Sequence, residues 1–411
     1  MNDRNLTGKM KENYRFFGIG TALYAGFYAL CLYKNSGGIA FTFFIAGSLW
    51  FYCLCMKKLE VSLKKGSIFY LVTVMLLAVS TFITGDGRII AMNKTGIFFL
   101  TASFLLHQFF EDKNWSFFKY MGNIIKLPFV WIAKVHRPFV DFRKKENEKQ
   151  DNNALYVVLG LLVGIPLLIV VWVLLCAADA AFARISRNIF GSLNFGSGFQ
   201  IVFMVLAVFF VTYGIFAYLA ERSLSDEARE KTPAEALPAI IVLIPLTVLY
   251  MVFCWIQIFC LFGGNFNMQG MTYAEYARRG FFDLLAVCIL NLILVQAGYG
   301  FFKKNKVLDI TMTVMSACTY IMIASSAFRM IQYVKHYNLT FLRVFVLWFL
   351  VVLTVLLTGV IISIFIRSFP LFRFSMVVVT VCYLLLSFAH VDYWIASYNL
   401  HRGETAGTAS Y

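Results

Sequence analysis

The chain has 411 residues, of which 60% are hydrophobic and 14% are charged, and its mean hydropathy is +0.75. This composition excludes an ordinary soluble globular protein and predicts a membrane protein. The formal net charge of +15 comes from lysines and arginines spread over the intervals between apolar runs, as membrane topology requires, so we expect no nucleic-acid partner.

Eleven apolar runs are long enough to cross a hydrocarbon core of roughly 30 Å. They lie at about 16–33, 38–56, 66–84, 89–110, 154–176, 198–219, 238–262, 281–302, 310–332, 343–366 and 374–390. The sequence therefore predicts an all-α fold, a polytopic transmembrane helix bundle of about eleven spans in contact with the lipid bilayer.

The longest interval between predicted spans, 111–153, divides the chain. Its first part, 115–142, mixes aromatic and aliphatic residues with basic ones, which is typical of an amphipathic segment on the inner leaflet. Its last part, 143–151, is a solvated charged run. We expect four parts: an N-terminal four-helix membrane part at 1–110, a basic cytoplasmic amphipathic linker at 111–153, a C-terminal seven-helix core at 154–402 and a tail at 403–411.

The distribution of lysine and arginine over alternate intervals predicts the orientation. One set of intervals, which includes the N-terminus, holds roughly 25 of these residues, and the other, which includes the C-terminal tail, holds roughly 10. We therefore expect a multi-pass protein of the cell membrane with its N-terminus in the cytoplasm and its C-terminus outside.

The predicted outer intervals of the C-terminal part carry clusters of polar and aromatic residues. The most distinctive stretch, 271–283, starts with a capping box formed by Thr272 and Glu275 and runs directly into the apolar run at 281–302. Candidate residues for ligand binding, or for a structural polar cluster, are Tyr273, Glu275, Tyr276, Arg278, Arg279, Asp283, Arg329, Tyr333, Arg343, Asp392, Tyr398 and Asn399.

Arg329 lies about one turn inside the outer end of its predicted span, where an unpaired charge is costly. We expect an ion pair with Asp283 or Glu275, and both a helix-locking role and a ligand-contacting role remain open. A predicted electropositive outer pocket suits a phosphate or carboxylate, such as an anionic lipid head group or an envelope precursor. Its basic residues are Arg278, Arg279, Lys335 and Arg343, and its lining residues are Tyr273, Tyr276 and Tyr333. Arginines and tyrosines are also common interfacial anchors in membrane proteins.

The sequence predicts neither a cofactor nor a metal site. The nine cysteines fall inside or at the edges of apolar runs, without the spacing of metal ligands or disulfides. The outer histidines His336, His390 and His401 match no metal-binding pattern. No nucleotide-binding or hydrolase motif occurs, so we expect a protein that is not an enzyme.

Four motifs, in this order, resemble a family of bacterial multi-pass membrane proteins that is known as a domain of unknown function. They are AADAAFAR at 177–184, YAEYARRGF at 273–281, FRMIQYVKHYNLTFLR at 328–343 and VDYWIASYNLHR at 391–402, which contains the pattern IAxYNLxR. The resemblance covers 154–402 and implies a bacterial cytoplasmic-membrane protein, but it implies no activity. All four motifs fall on the side that the charge distribution places outside.

Three functions are compatible with these patterns. The favoured one is a cell-envelope protein, not an enzyme, that binds an anionic lipid, a precursor head group or a membrane-protein partner at its outer face. The second is a small-molecule permease. A permease requires polar residues along a route through the membrane, and the sequence provides few at mid-depth, mainly Gln257 and Asn291. The third is a membrane-embedded transferase at the outer leaflet with Glu275 or Asp283 as base, although adjacent arginines oppose the raised pKa that a base requires.

Overall fold

The structure of the protein is a computed structural model. The residues that it describes are 6–34, 37–111, 115, 117–143, 168, 171–172, 175–176, 178–190, 197–222, 234–259, 281–366 and 369–408.

Within these residues the chain forms fifteen α-helices. They are α1 (Leu6–Glu12), α2 (Tyr14–Leu32), α3 (Gly38–Lys58), α4 (Ser67–Ile83), α5 (Gly87–Phe109), α6 (Phe117–Lys126), α7 (Arg137–Arg143), α8 (Ala180–Phe190), α9 (Ser197–Arg222), α10 (Leu237–Gln257), α11 (Phe281–Phe301), α12 (Lys306–Tyr337), α13 (Phe341–Phe365), α14 (Leu371–Phe388) and α15 (Val391–Thr408). Two 3-10 turns, Leu127–Phe129 and Ile132–Lys134, lie between α6 and α7.

Nine helices of the described chain are long and apolar enough to cross a membrane, and α4 is a shorter apolar helix. These ten helices coincide with ten of the eleven predicted spans, whereas the run at 154–176 lies largely outside the described residues. The prediction of an all-α polytopic helix bundle is confirmed. The protein is a multi-pass membrane protein.

Helix α5 shows how a span accommodates polar residues near its start. Asn93 is fully buried and its Nδ2 donates to Oγ of Ser80 on α4, at 3.2 Å. The side chain of Asp86 caps the helix by accepting from the backbone N–H of Arg88 at 2.9 Å. Because these polar groups have partners inside the protein, the helix runs from Gly87 to Phe109 without a break.

The chain forms two compact units. The first comprises 1–112 with 121–228, and the second comprises 113–120 with 229–411. In the first unit α2 packs against α3 and α9, and α4 packs against α3 and α5. The ring of Phe216 on α9 contacts those of Phe17, Phe51 and Phe109, with centroids 6.3 to 6.5 Å apart. The predicted division of the sequence at 111–153 stays a prediction.

In the second unit α12 packs against α10, α11 and α13, and α13 also packs against α14 and α15. With 32 residues, α12 is about 48 Å long. At one end of the unit, Ala234 and Phe302 form an isolated parallel bridge that joins the start of α10 to the end of α11. The backbone N–H of Ala234 donates to the carbonyl of Phe301 at 2.9 Å, and that of Lys303 donates to the carbonyl of Ala234 at 2.8 Å.

Candidate functional site

The twelve candidate residues fall into two groups. Five of them lie outside the described residues, together with most of the 273–281 motif: Tyr273, Glu275, Tyr276, Arg278 and Arg279. Seven lie on four helices of the second unit: Asp283 on α11, Arg329 and Tyr333 on α12, Arg343 on α13, and Asp392, Tyr398 and Asn399 on α15.

The connectivity of the helices brings these seven residues to one end of the second unit. The short turn 338–340 joins α12 to α13, and α14 returns from the opposite end, so α15 starts near that turn. Asn338 follows α12 with φ 68°, a positive value that residues other than glycine rarely adopt. This polar end therefore consists of the start of α11, the last turns of α12, the start of α13 and helix α15.

Arg343 caps the C-terminus of α12. Its Nη1 donates to the carbonyl of Tyr337 at 2.7 Å and to that of Asn338, and its guanidinium carbon lies 4.2 Å from the centre of the Tyr333 ring. The last carbonyls of a helix lack intrahelical partners and carry the negative end of the helix dipole. A guanidinium at this position donates hydrogen bonds to these carbonyls, and its positive charge is attracted to the negative end of the dipole.

Two residues of α15 hold the same helix end. Arg402 donates to the carbonyl of Val334 at 2.9 Å and to that of Lys335. The side chain of Asn399 accepts from the backbone N–H of Leu339 and donates to its carbonyl, both at 2.9 Å. The motifs at 328–343 and 391–402 therefore meet through side chain to backbone bonds, which sequence reasoning did not predict.

Arg329 is 7% exposed, and its Nη2 donates to Oε1 of Gln257 on α10 at 3.1 Å. The same oxygen accepts from Oγ of Ser325 at 2.8 Å. Asp283 is exposed, and the ion pairs within the described residues do not join it to Arg329. Glu275, the other expected partner, lies outside the described residues, so the expected ion pair of Arg329 with Asp283 or Glu275 stays a prediction. A neutral amide oxygen accepts from a buried guanidinium without the desolvation cost of a second buried charge.

The polar contacts of α12 continue toward the middle of the unit. Asn291 on α11 is fully buried, and its Nδ2 donates to Oγ1 of Thr319 at 3.0 Å. Cys254 on α10 donates through its Sγ to the carbonyl of Cys318 at 3.4 Å. Within the described part of the chain, no group of three or more His, Cys, Asp or Glu side chains is placed to hold a metal ion.

The described part of the polar end carries an excess of positive charge. Arg329, Lys335, Arg343 and Arg402 lie on or beside the last three turns of α12, against the acidic residues Asp283 and Asp392. Three large aromatic side chains of α15 are exposed: Tyr393 by 68%, Trp394 by 63% and Tyr398 by 42%. Exposed tyrosine and tryptophan are typical of the interface between hydrocarbon and head groups.

Comparison with known proteins identifies one family. The family model described as "Domain of unknown function (DUF4153)" matches residues 71–411, more than four fifths of the chain. Neither a curated protein nor a solved structure matches the chain. The matched region contains the whole polar end of the second unit, and the expected membership of a family of unknown function is confirmed. The chain therefore belongs to the family defined by the domain of unknown function DUF4153.

Proposed function

We propose that this protein binds a phosphate-bearing head group, of an anionic lipid or an envelope precursor, at the polar end of its second unit. The observation that carries the proposal is the convergence of Arg329, Lys335, Arg343 and Arg402 on the last turns of α12. Arginine recognises phosphate through two parallel N–H bonds, which gives both strength and orientation.

Arg343 is well suited to contact such a ligand. A guanidinium carries five N–H donors, and the hydrogen bonds described for Arg343 all use Nη1. A phosphate that accepts from Nε and Nη2 would therefore leave the cap of α12 intact. The exposed Tyr393 and Trp394 on α15 support a location at the level of lipid head groups.

The proposed location is the outer face of a bacterial cytoplasmic membrane. The support is the distribution of lysine and arginine along the sequence, which favours a cytoplasmic N-terminus and an outer C-terminus. Single cysteines at Tyr398 and Lys304, on a cysteine-free background, test this orientation. We expect an impermeant thiol reagent to label Tyr398→Cys in intact cells and Lys304→Cys only after permeabilisation. The reverse pattern would place the site in the cytoplasm.

The binding proposal is tested with purified protein and short-chain lipids. We expect phosphatidylglycerol to bind more tightly than phosphatidylcholine, and Arg343→Gln to weaken phosphatidylglycerol binding by about tenfold, or about 1.4 kcal/mol. Arg373 is exposed and lies in the first turn of α14, at the opposite end of the unit. Arg373→Gln is the matched control and should bind as the wild type does. Equal weakening in both variants, at unchanged thermal stability, would show that only net charge matters.

A further inference from the structure

A second polar cluster lies in the first unit, where 127–143 packs on α9. Asp141 on α7 is 4% exposed, and its Oδ2 accepts from the hydroxyl of the fully buried Tyr213 at 2.9 Å. The other carboxylate oxygen, Oδ1, is buried and has no hydrogen-bond partner within the described structure. A buried carboxylate with only one bond is costly, so this oxygen is placed to accept from a ligand.

The groups around Asp141 balance its charge. Lys134 donates to Glu221 at 2.6 Å, and Arg137 donates to the same carboxylate. Arg137 lies one turn before Asp141 on α7, and its Nε is buried without a hydrogen-bond partner within the described structure. His136 is neutral near pH 7 because burial, with Arg137 and Lys134 nearby, lowers its pKa. Two cations and two carboxylates therefore leave the site with no net charge, one buried acceptor without a partner and one buried donor without a partner within the described structure.

The Glu221 end of the cluster lies close to the depth of lipid head groups. Helix α9 has 26 residues and is about 39 Å long, against a hydrocarbon core of about 30 Å, so its last turns emerge from the core. Glu221 is in that last turn. On the preceding segment the apolar side chains of Ile125, Phe129 and Ile132 are 59 to 63% exposed, as in a segment that lies in the membrane interface.

We propose that this cluster binds the head group of a zwitterionic aminophospholipid. The ammonium group donates to Oδ1 of Asp141, and the phosphate accepts from Nε of Arg137 and from Lys134. The site has no net charge, and it has one acceptor (Oδ1 of Asp141) and one donor (Nε of Arg137) without a partner within the described structure. It therefore matches a head group that carries both a positive and a negative charge. All these residues lie in the first unit, so this site is independent of the phosphate site proposed for the second unit.

The first test uses the wild-type protein, purified in detergent, and short-chain lipids that differ only in the methylation of the amine. Affinity, measured by native mass spectrometry, should fall stepwise from phosphatidylethanolamine through its monomethyl and dimethyl forms to phosphatidylcholine. The total loss should be about tenfold or more, because each methyl group removes a donor. Equal affinity across the series would overturn the proposal.

Asp141→Asn is the decisive variant, because the amide keeps an acceptor for Tyr213 but loses the charge that attracts the ammonium. It should lose the preference for phosphatidylethanolamine over phosphatidylcholine. Glu12→Gln, which replaces an exposed acid of the same unit, should keep it. A stable Asp141→Asn protein with an unchanged preference would contradict the assignment. If Asp141→Asn does not fold, the methylation series on the wild type decides.

A last arm separates a lipid from a soluble ligand of the same chemistry. Free glycerophosphoethanolamine has the ammonium and the phosphodiester of the lipid but no acyl chains. It should bind at least about tenfold more weakly than the short-chain lipid, because the chains also contact the apolar surface near Ile125, Phe129 and Ile132. Equal affinity for the two would overturn the assignment to a lipid.

Discussion

Asn399 binds the backbone of Leu339 with both halves of its amide. Replacing it with alanine leaves a part-buried N–H and carbonyl without these partners, so we expect the free energy of unfolding to fall by about 1–3 kcal/mol. Asn399→Asp retains the acceptor and loses the donor, and its loss should be smaller. Thermal unfolding in detergent measures both. Ser397→Ala, at an exposed position of the same helix, is the control, and an equal loss there would contradict the role of Asn399.

We expect His136 to give the first unit a pH-dependent stability. Burial lowers its pKa below the ordinary value of 6.5, and the neighbouring Arg137 and Lys134 act in the same direction while Asp141 and Glu221 oppose them. As the pH falls through 6.5, the unfolded chain therefore takes up a proton before the folded one, and stability decreases until the lowered folded pKa is passed.

Removing the imidazole tests this pH dependence. Between pH 7.5 and a value below the folded pKa, we expect the melting temperature of the wild type to fall more steeply than that of His136→Asn. The control variant is His107→Asn. The ring of His107 contacts the carbonyl of Lys65. If the melting temperature became less dependent on pH by the same amount in both variants, the pH dependence would not be specific to His136.

The sequence predicted where a costly charge lies but not which group satisfies it. Arg329 was recognisable because a cation inside a span needs an acceptor. One acceptor of its hydrogen bonds, Gln257, lies 72 residues earlier in the chain, and an amide oxygen is less conspicuous in a sequence than a carboxylate. The bond between Tyr213 and Asp141 was not predicted for a similar reason: a tyrosine inside an apolar run resembles ordinary packing until its partner is known.

At the level of elements, the contact between α9 and the 3-10 turns depends on a small residue. A Cβ atom on Gly214 would lie 2.8 Å from Cβ and 2.9 Å from Cα of Trp131, so backbone would have to move. We expect Gly214→Ala to destabilise the protein by about 1–3 kcal/mol. Proteolysis within 127–143 should also become faster, because this segment would lose its packing.

Gly26 provides the control for this substitution. It lies on α2 in the same unit, and a Cβ atom there would meet no atom within 4 Å. Gly26→Ala should therefore leave the melting temperature unchanged or raise it slightly, since alanine favours a helix. If Gly214→Ala behaved in the same way, close packing between α9 and Trp131 would not be needed.

The spans were predictable because a run of about twenty apolar residues has few alternatives to a membrane-crossing helix. Helix α15 was not predicted as a helix: its residues 391–402 have a mixed composition and were placed after the last predicted span, in an outer interval of the C-terminal core. The helix is held by contacts of Asn399 and Arg402 with the end of α12, and contacts over about sixty residues of sequence leave no periodic pattern.

The 271–283 stretch lies outside the described residues up to 280, so its predicted helical start stays a prediction.

For the whole molecule, the free cysteines report on folding. Cys55, Cys254, Cys288 and Cys318 are buried, whereas Cys31, Cys53, Cys176 and Cys382 are partly accessible. We expect a small maleimide to modify the partly accessible thiols first and the buried ones only as the protein unfolds. Peptide mapping by mass spectrometry along a temperature series measures both rates. Modification of Cys288, which is 0% exposed, at the rate of Cys382 well below the melting temperature would contradict this packing.

Helix α12 is longer than a bilayer core is thick, by about 18 Å if it stands upright. A helix with such a surplus adjusts by tilting or by deforming the surrounding lipid, at a modest cost for each ångström of mismatch. Arg329 lies eight residues before the end of α12, or about 12 Å along its axis. The depth of Arg329 in the membrane therefore depends on the length of the surrounding acyl chains. The polar end of the second unit is for this reason sensitive to membrane thickness.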